Sequence, residues 1–265
     1  MNEQPAEIPP AKPPETPASL RRIVFFSVTT GLCPLIPFPF VDDWVRDLMR
    51  RRLAGDLAVQ QGLAVASPPL KILACGESKF SASKMLRGCL LTAIIKPVFV
   101  VLKKLALKLF RKILFFLTLK DCVTTATQTF HEGYLLRHAL QQGELTGEPD
   151  LPQARRIRGA MERVLEGRSL GPVEEIFRIV LRGSWGSVKG AARHLGREAR
   201  RLRRSGRDDA EALRDLDLED EEARLSGVVD EITRALGEEK GYLGHLERLL
   251  AEQLAADLTS EAPGG

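Results

Sequence analysis

The chain has 265 residues, 44% of them apolar but only 6% aromatic, with a net charge of +4. That is enough chain to bury a substantial core, which excludes a wholly disordered polypeptide. Between Lys71 and Lys120, nine Lys and two Arg face one acid, Glu77, so this window carries +10 and the remainder −6. Such segregation implies an anionic partner for the basic part.

Taken in chain order, residues 1–19 hold six prolines and almost nothing to bury, and are expected to form a disordered tail. The uncharged run 23–41 follows Arg21-Arg22. As a helix, its 19 residues would reach about 28 Å, close to the hydrocarbon thickness of a bilayer. Pro34, Pro37 and Pro39 remove backbone donors from its second half, so a helix from about 20 to 32 should give way to extended chain. That geometry suits a half-inserted segment turned back by its prolines. Export is disfavoured, because the small-residue cleavage site of a secretory signal is missing.

Asp42-Asp43 then open an amphipathic helix, where carboxylates complement the free N–H groups of a first turn. Its apolar positions are Val41, Trp44, Val45, Leu48, Met49, Leu53 and Leu57, with Arg50, Arg51 and Arg52 between them. Residues 63–84, with Pro68-Pro69 and GESKFSASK, read as a loop. From Met85 the chain is densely apolar, and Pro97 should kink or divide it. Lys96, Lys103, Lys104, Lys108, Arg111 and Lys112 fall on one half of a helical wheel. Val98, Leu102, Leu105, Ala106, Leu109, Ile113 and Phe116 fill the other. Five charges between 103 and 112 make a crossing expensive, and a helix lying in the interface, lysines toward lipid phosphates, fits better. Two true spans, 20–41 and 85–102, stay open as an alternative. A further helix follows with Val123, Thr127, Phe130, Tyr134 and Leu135 inward and Gly143 as its stop.

GELTGEPDLP, residues 143–152, has the composition of a linker. Beyond it, helical patterns cover 153–166, 172–202 and 208–258, and 259–265 should be disordered. Eight basic residues lie between Lys189 and Arg207 against Glu198, and DDAEALRDLDLEDEE then brings nine acids, so the two blocks are expected to pair. Val229, Ile232, Leu236, Leu243, Leu246 and Leu250 resemble a coiled-coil seam, but Gly237, Gly241 and Gly244 weaken it toward a helical hairpin.

No constellation carries chemistry. His131 and His138 share a helix face without a third ligand at a recognisable spacing, so no metal is expected. Cys33, Cys75, Cys89 and Cys122 show no C-x-x-C pair and read as free, buried thiols in a reducing compartment. Asp42 and Asp43 point about 100° apart on a helix and read as a cap rather than an acid–base pair. Glycines 183, 186, 190 and 196 match neither a P-loop nor a dinucleotide fingerprint, so no cofactor is expected. The Arg-rich helix near 193–207 would suit nucleic-acid phosphates, but no aromatic lies between Trp185 and Tyr242 to stack on bases.

The segment GLCPLIPFPFVDDW, residues 31–44, followed by an Arg-rich helix and a long Lys-studded apolar stretch, resembles bacterial helical proteins of the EcsC-like type. The resemblance covers 23–62 and, more loosely, 86–140. It implies an α-helical, membrane-associated bacterial protein and supplies no catalytic residue. The expectation is therefore an all-α protein with a membrane-associated part, 20–142, and a C-terminal helical bundle or hairpin, 153–258. It would be a non-catalytic anchor or scaffold at the cytoplasmic face of the inner membrane. Lys96, Lys103, Lys104, Lys108, Arg111 and Lys112 would meet anionic lipid, and the C-terminal helices a protein partner. The alternative is a soluble, cytoplasmic helical bundle that serves as a protein-interaction module, with nucleic acid a more distant third.

Overall fold

The computed structural model describes residues 17–36, 41–76, 107–145, 149–166, 171–206, 211–212 and 215–261. Among these residues there are nine α-helices and no strand. They are α1 (Pro17–Gly31), α2 (Val41–Gln60), α3 (Ser67–Cys75), α4 (Leu107–Gln141), α5 (Leu151–Leu165), α6 (Gly171–Gly183), α7 (Trp185–Arg204), α8 (Glu219–Leu236) and α9 (Lys240–Glu261). A 3-10 turn, Cys33–Leu35, joins α1 to α2. The fold is all-α.

α4 is the axis. Its 35 residues extend about 52 Å, and residues 129–140 are buried on every face. α1 packs along it most closely, with α2, α5, α6 and α9 completing the surround. The approach of α1 is set by Gly31, where a Cβ would stand 2.7 Å from Ala126 Cβ and 2.8 Å from the Cys122 carbonyl oxygen. Only glycine lets the two backbones come that near. The inward positions expected for α4, Val123, Thr127, Phe130, Tyr134 and Leu135, are all buried, and the helix ends before Gly143, whose φ is +74°.

The first part of the uncharged run, 23–33, is buried. Ile23, Val24, Phe25, Phe26, Val28 and Leu32 are buried against α4, α2 and α8. Helix ends at Gly31 and Ile36 is extended, as the prolines require. The half-inserted helix expected from about 20 to 32 is thus a core helix in this structure: its apolar faces are covered by protein. Nor is 20–41 one continuous span. Among the described residues no helix is long and apolar enough to cross a membrane; residues 85–102 lie outside them.

Several boundaries move. α1 starts at Pro17, so 17–19 belong to a helix rather than to the tail. Part of the loop expected at 63–84 is α3, because Pro68 and Pro69 stand in its first turn, where a missing N–H costs nothing. The expected helix 172–202 breaks at Ser184, and α9 continues to Glu261. α8 and α9 do not form the expected hairpin or coiled coil: α8 packs mainly on α1, α6 and α7, and α9 on α5 and α4. The three residues between them let the helices diverge, so the seam residues are buried in two different interfaces.

The stretch 143–152 does not divide the core. Leu145 is buried, Glu144 pairs with Arg156 at 2.9 Å, and the Asp150 carboxylate caps α5 by accepting from the Gln153 amide. One apolar cluster contains Ile23, Phe26 and Phe130 together with Phe177, Leu225, Ile232 and Leu250. Arg21 ties the first helix to α8 through Glu222 at 3.0 Å and Asp230 at 2.9 Å, and these carboxylates raise its pKa.

Candidate functional site

Of the six expected lipid-facing residues, Lys96, Lys103 and Lys104 lie outside the described residues. Lys108, Arg111 and Lys112 lie on the first turns of α4, where only the backbone is described. The side chains that follow are informative. Phe115 packs edge-on against Trp185 at the start of α7, with ring centroids 5.0 Å apart. Phe116 and Leu117 are 55% and 54% exposed, and Lys120 beyond them is exposed as well. Three turns of one helix therefore run from basic residues into two bare apolar side chains, before the fully buried part of α4 begins.

Charged residues on otherwise apolar faces form an internal network around the fully buried part of α4. Arg158 of α5 donates to Glu132 at 3.1 Å and to Glu162 at 2.8 Å. Its Nη1 reaches the Leu73 and Ala74 carbonyl oxygens, the unsatisfied C-terminal end of α3, at 3.4 and 3.5 Å. Arg50 of α2 stands 3.7 Å from the other Glu132 oxygen, and Gln128 donates to Glu132 at 3.0 Å. Burial opposes the Arg158 charge, but Glu132 and Glu162 more than reverse this and raise its pKa. Gly76 follows at φ +70°, where a Cβ would fall 2.9 Å from Glu162 Oε1. The network holds four helices to one another and fixes the point where α3 ends. Removing one member of such a buried set leaves the others uncompensated, at about 3–5 kcal/mol.

A second set docks α9. Buried His131 donates from Nδ1 to the Thr127 carbonyl oxygen at 2.8 Å, which leaves Nε2 to accept from the Tyr242 hydroxyl at 2.9 Å. Burial pushes its pKa below the ordinary 6.5. Tyr134 donates to Glu247 at 2.8 Å, and His138 lies 3.5 Å from the same carboxylate. The two histidines noted in the sequence thus serve helix packing. Among the described residues no group of three or more His, Cys, Asp or Glu could hold a metal ion.

The three thiols among the described residues are held inert, and Cys89 lies outside those residues. Burial pushes Cys33 and Cys122 up to about 12 and Cys75 up to about 11, far from the range in which a thiolate attacks at neutral pH. An open depression between the end of α2 and the following loop is lined by Gly55, Ala58, Val59, Leu63, Ala64, Val65 and Ala66, without a titratable side chain.

Sequence reasoning missed the Arg50–Glu132–Arg158–Glu162 network. Its signal was available: Glu132 sits in a run of inward α4 positions, and Arg158 sits between Ala154, Ile157, Ala160 and Met161 on the buried face of α5. Between the basic and acidic C-terminal blocks, the ring of His194 meets Glu221 through Nδ1 and Asp220 at 3.5 Å through Nε2. Arg193, Arg197, Arg203 and Arg204 make no ion pair among the described residues.

No family model matches the chain, and neither the curated proteins nor the solved structures provide a match.

Proposed function

We propose that this protein is a non-catalytic helical scaffold that attaches peripherally to an anionic membrane surface through residues 96–117. The observation that supports this is the exposure of Phe116 and Leu117 on the helix that carries Lys108, Arg111 and Lys112. Burying each apolar side chain in the acyl boundary contributes about 1.5–3 kcal/mol, and each basic residue near anionic lipid about 1 kcal/mol. Together these support reversible attachment without a membrane-spanning helix. The EcsC-like resemblance of 31–44 implies the cytoplasmic face of a bacterial inner membrane as the setting. Those C-terminal helices that are turned away from the lipid would then face a protein partner.

Sedimentation of the full chain with lipid vesicles tests the reading. Replacing Lys103, Lys104, Lys108, Arg111 and Lys112 by Gln should weaken binding to phosphatidylglycerol-containing vesicles more than to neutral ones. Phe116→Ser with Leu117→Ser should weaken both. An unmodified chain that stays in the supernatant with either vesicle overturns the proposal. It would favour the second reading, a helical interaction module without lipid, which the burial of Ile23 to Leu32 by the protein's own helices supports.

A further inference from the structure

α7 presents a basic stripe, most of which finds no ion pair among the described residues. Lys189, Arg193, Arg197 and Arg204 recur at helical spacing with Arg200 among them, and so share one side of the helix over about 22 Å. Lys189, Arg193, Arg197 and Arg204 are exposed, and none of the four has an ion pair among the described residues. The opposite side, with Val188, Ala191, Leu195, Ala199 and Leu202, is buried. Of the acids that follow α7 in the chain, Glu222 and Asp230 hold Arg21, and Asp220 and Glu221 hold His194.

We infer that this stripe is a second, purely electrostatic contact with the anionic lipid surface, one that fixes how the bundle lies on the membrane. The inference rests on the attachment through 96–117. The link between them is Trp185, the first residue of α7, which packs on Phe115 directly beside exposed Phe116 and Leu117. Seating those two side chains among acyl chains brings the N-terminal end of α7, with Lys189 one turn on, to the same surface. The residues beside the stripe, Gly186, Ser187 and Gly190, are exposed and bring no apolar side chain to insert. The contact therefore stays at headgroup level, where planar guanidinium groups match phosphate oxygens two at a time. A nucleic acid would share the phosphate chemistry, but beyond Trp185, whose ring packs on Phe115, α7 offers no aromatic ring for base stacking.

The experiment compares three full-length proteins, the natural chain, Lys189→Gln/Arg193→Gln/Arg197→Gln/Arg204→Gln, and Phe116→Ser/Leu117→Ser, after circular dichroism shows the same helix content. Each is titrated with phosphatidylcholine vesicles, with and without phosphatidylglycerol, and with a labelled RNA duplex. Loss of the stripe should lower affinity for the anionic vesicles by at least about tenfold and flatten its salt dependence, leaving affinity for neutral vesicles unchanged. If the stripe variant binds anionic vesicles like the natural chain while the Phe116/Leu117 variant does not, the α7 contact is overturned and attachment through 96–117 stands. If neither variant loses binding, both are overturned. Loss of duplex affinity by the stripe variant, with vesicle affinity unchanged, overturns the lipid contact in favour of nucleic acid.

Discussion

The first helix and the start of the fourth make an instructive pair. Both are rich in Phe, Ile and Leu, and hydropathy alone would send both to a membrane. In α1 every residue from Ile23 to Leu32 is buried, covered by α4, α2 and α8. On α4, Phe116 and Leu117 stay exposed although the same helix is fully enclosed fifteen residues later. What separates them is neighbouring chemistry rather than apolarity. α1 carries glycine, serine and threonine that let it lie close to α4, and Ser27 and Thr29 return their hydroxyl protons to the carbonyl oxygens four residues back. The start of α4 is crowded with lysine and arginine, whose heads need water or phosphate.

This contrast can be broken first by cutting the chain. Residues 151–265 take α6 away from α4, α8 away from α1, and α9 away from α4. Expressed alone, that fragment should show no cooperative unfolding transition in urea, whereas the full chain should. A cooperative transition in the fragment would restore a domain boundary near residues 143–152.

Point substitutions sharpen the comparison at a smaller scale. Phe26→Ala empties a fully buried site and should cost about 3–5 kcal/mol, read from urea denaturation. Phe116→Ala should change the stability of the lipid-free protein by no more than about 0.5 kcal/mol. Equal costs would mean that the two apolar segments are covered alike. A smaller effect is expected from His131→Phe, which removes the hydrogen bond to Tyr242, worth about 1 kcal/mol. The pH dependence gives the sign. Folding holds the His131 pKa below 6.5, so the unfolded chain takes up the proton first. Stability should therefore fall as pH drops through 6.5 and level off once the lower folded value is passed. In the Phe variant that part of the acid limb should be missing, and an unchanged limb would assign it to other groups.

Local signals were legible in the sequence. Asp42-Asp43 mark the first turn of α2, Gly143 follows the end of α4, and the inward residues of α4 follow from three-to-four spacing. Pairing between segments was not, because periodicity says which side of a helix is apolar and not which helix covers it. The seam from Val229 to Leu250 has the right spacing for a single interface, yet the chain turns at Gly237 and sends its two halves to different partners. The α7 stripe was visible as composition. Which of its residues find partners was not, since ion pairs form across long separations: Glu222 and Asp230 go to Arg21, some 200 positions earlier.

That long reach also sets a timetable. α1 is made first, but the α8 surface that covers part of it leaves the ribosome only after about 200 more residues. At typical rates of synthesis this is roughly 10–40 s. Throughout that interval the uncharged stretch from Ile23 is only partly sheltered by α2 and α4, so the nascent protein is a natural client for chaperones. Its yield in a cell should depend as much on the speed of translation as on the stability of the finished fold.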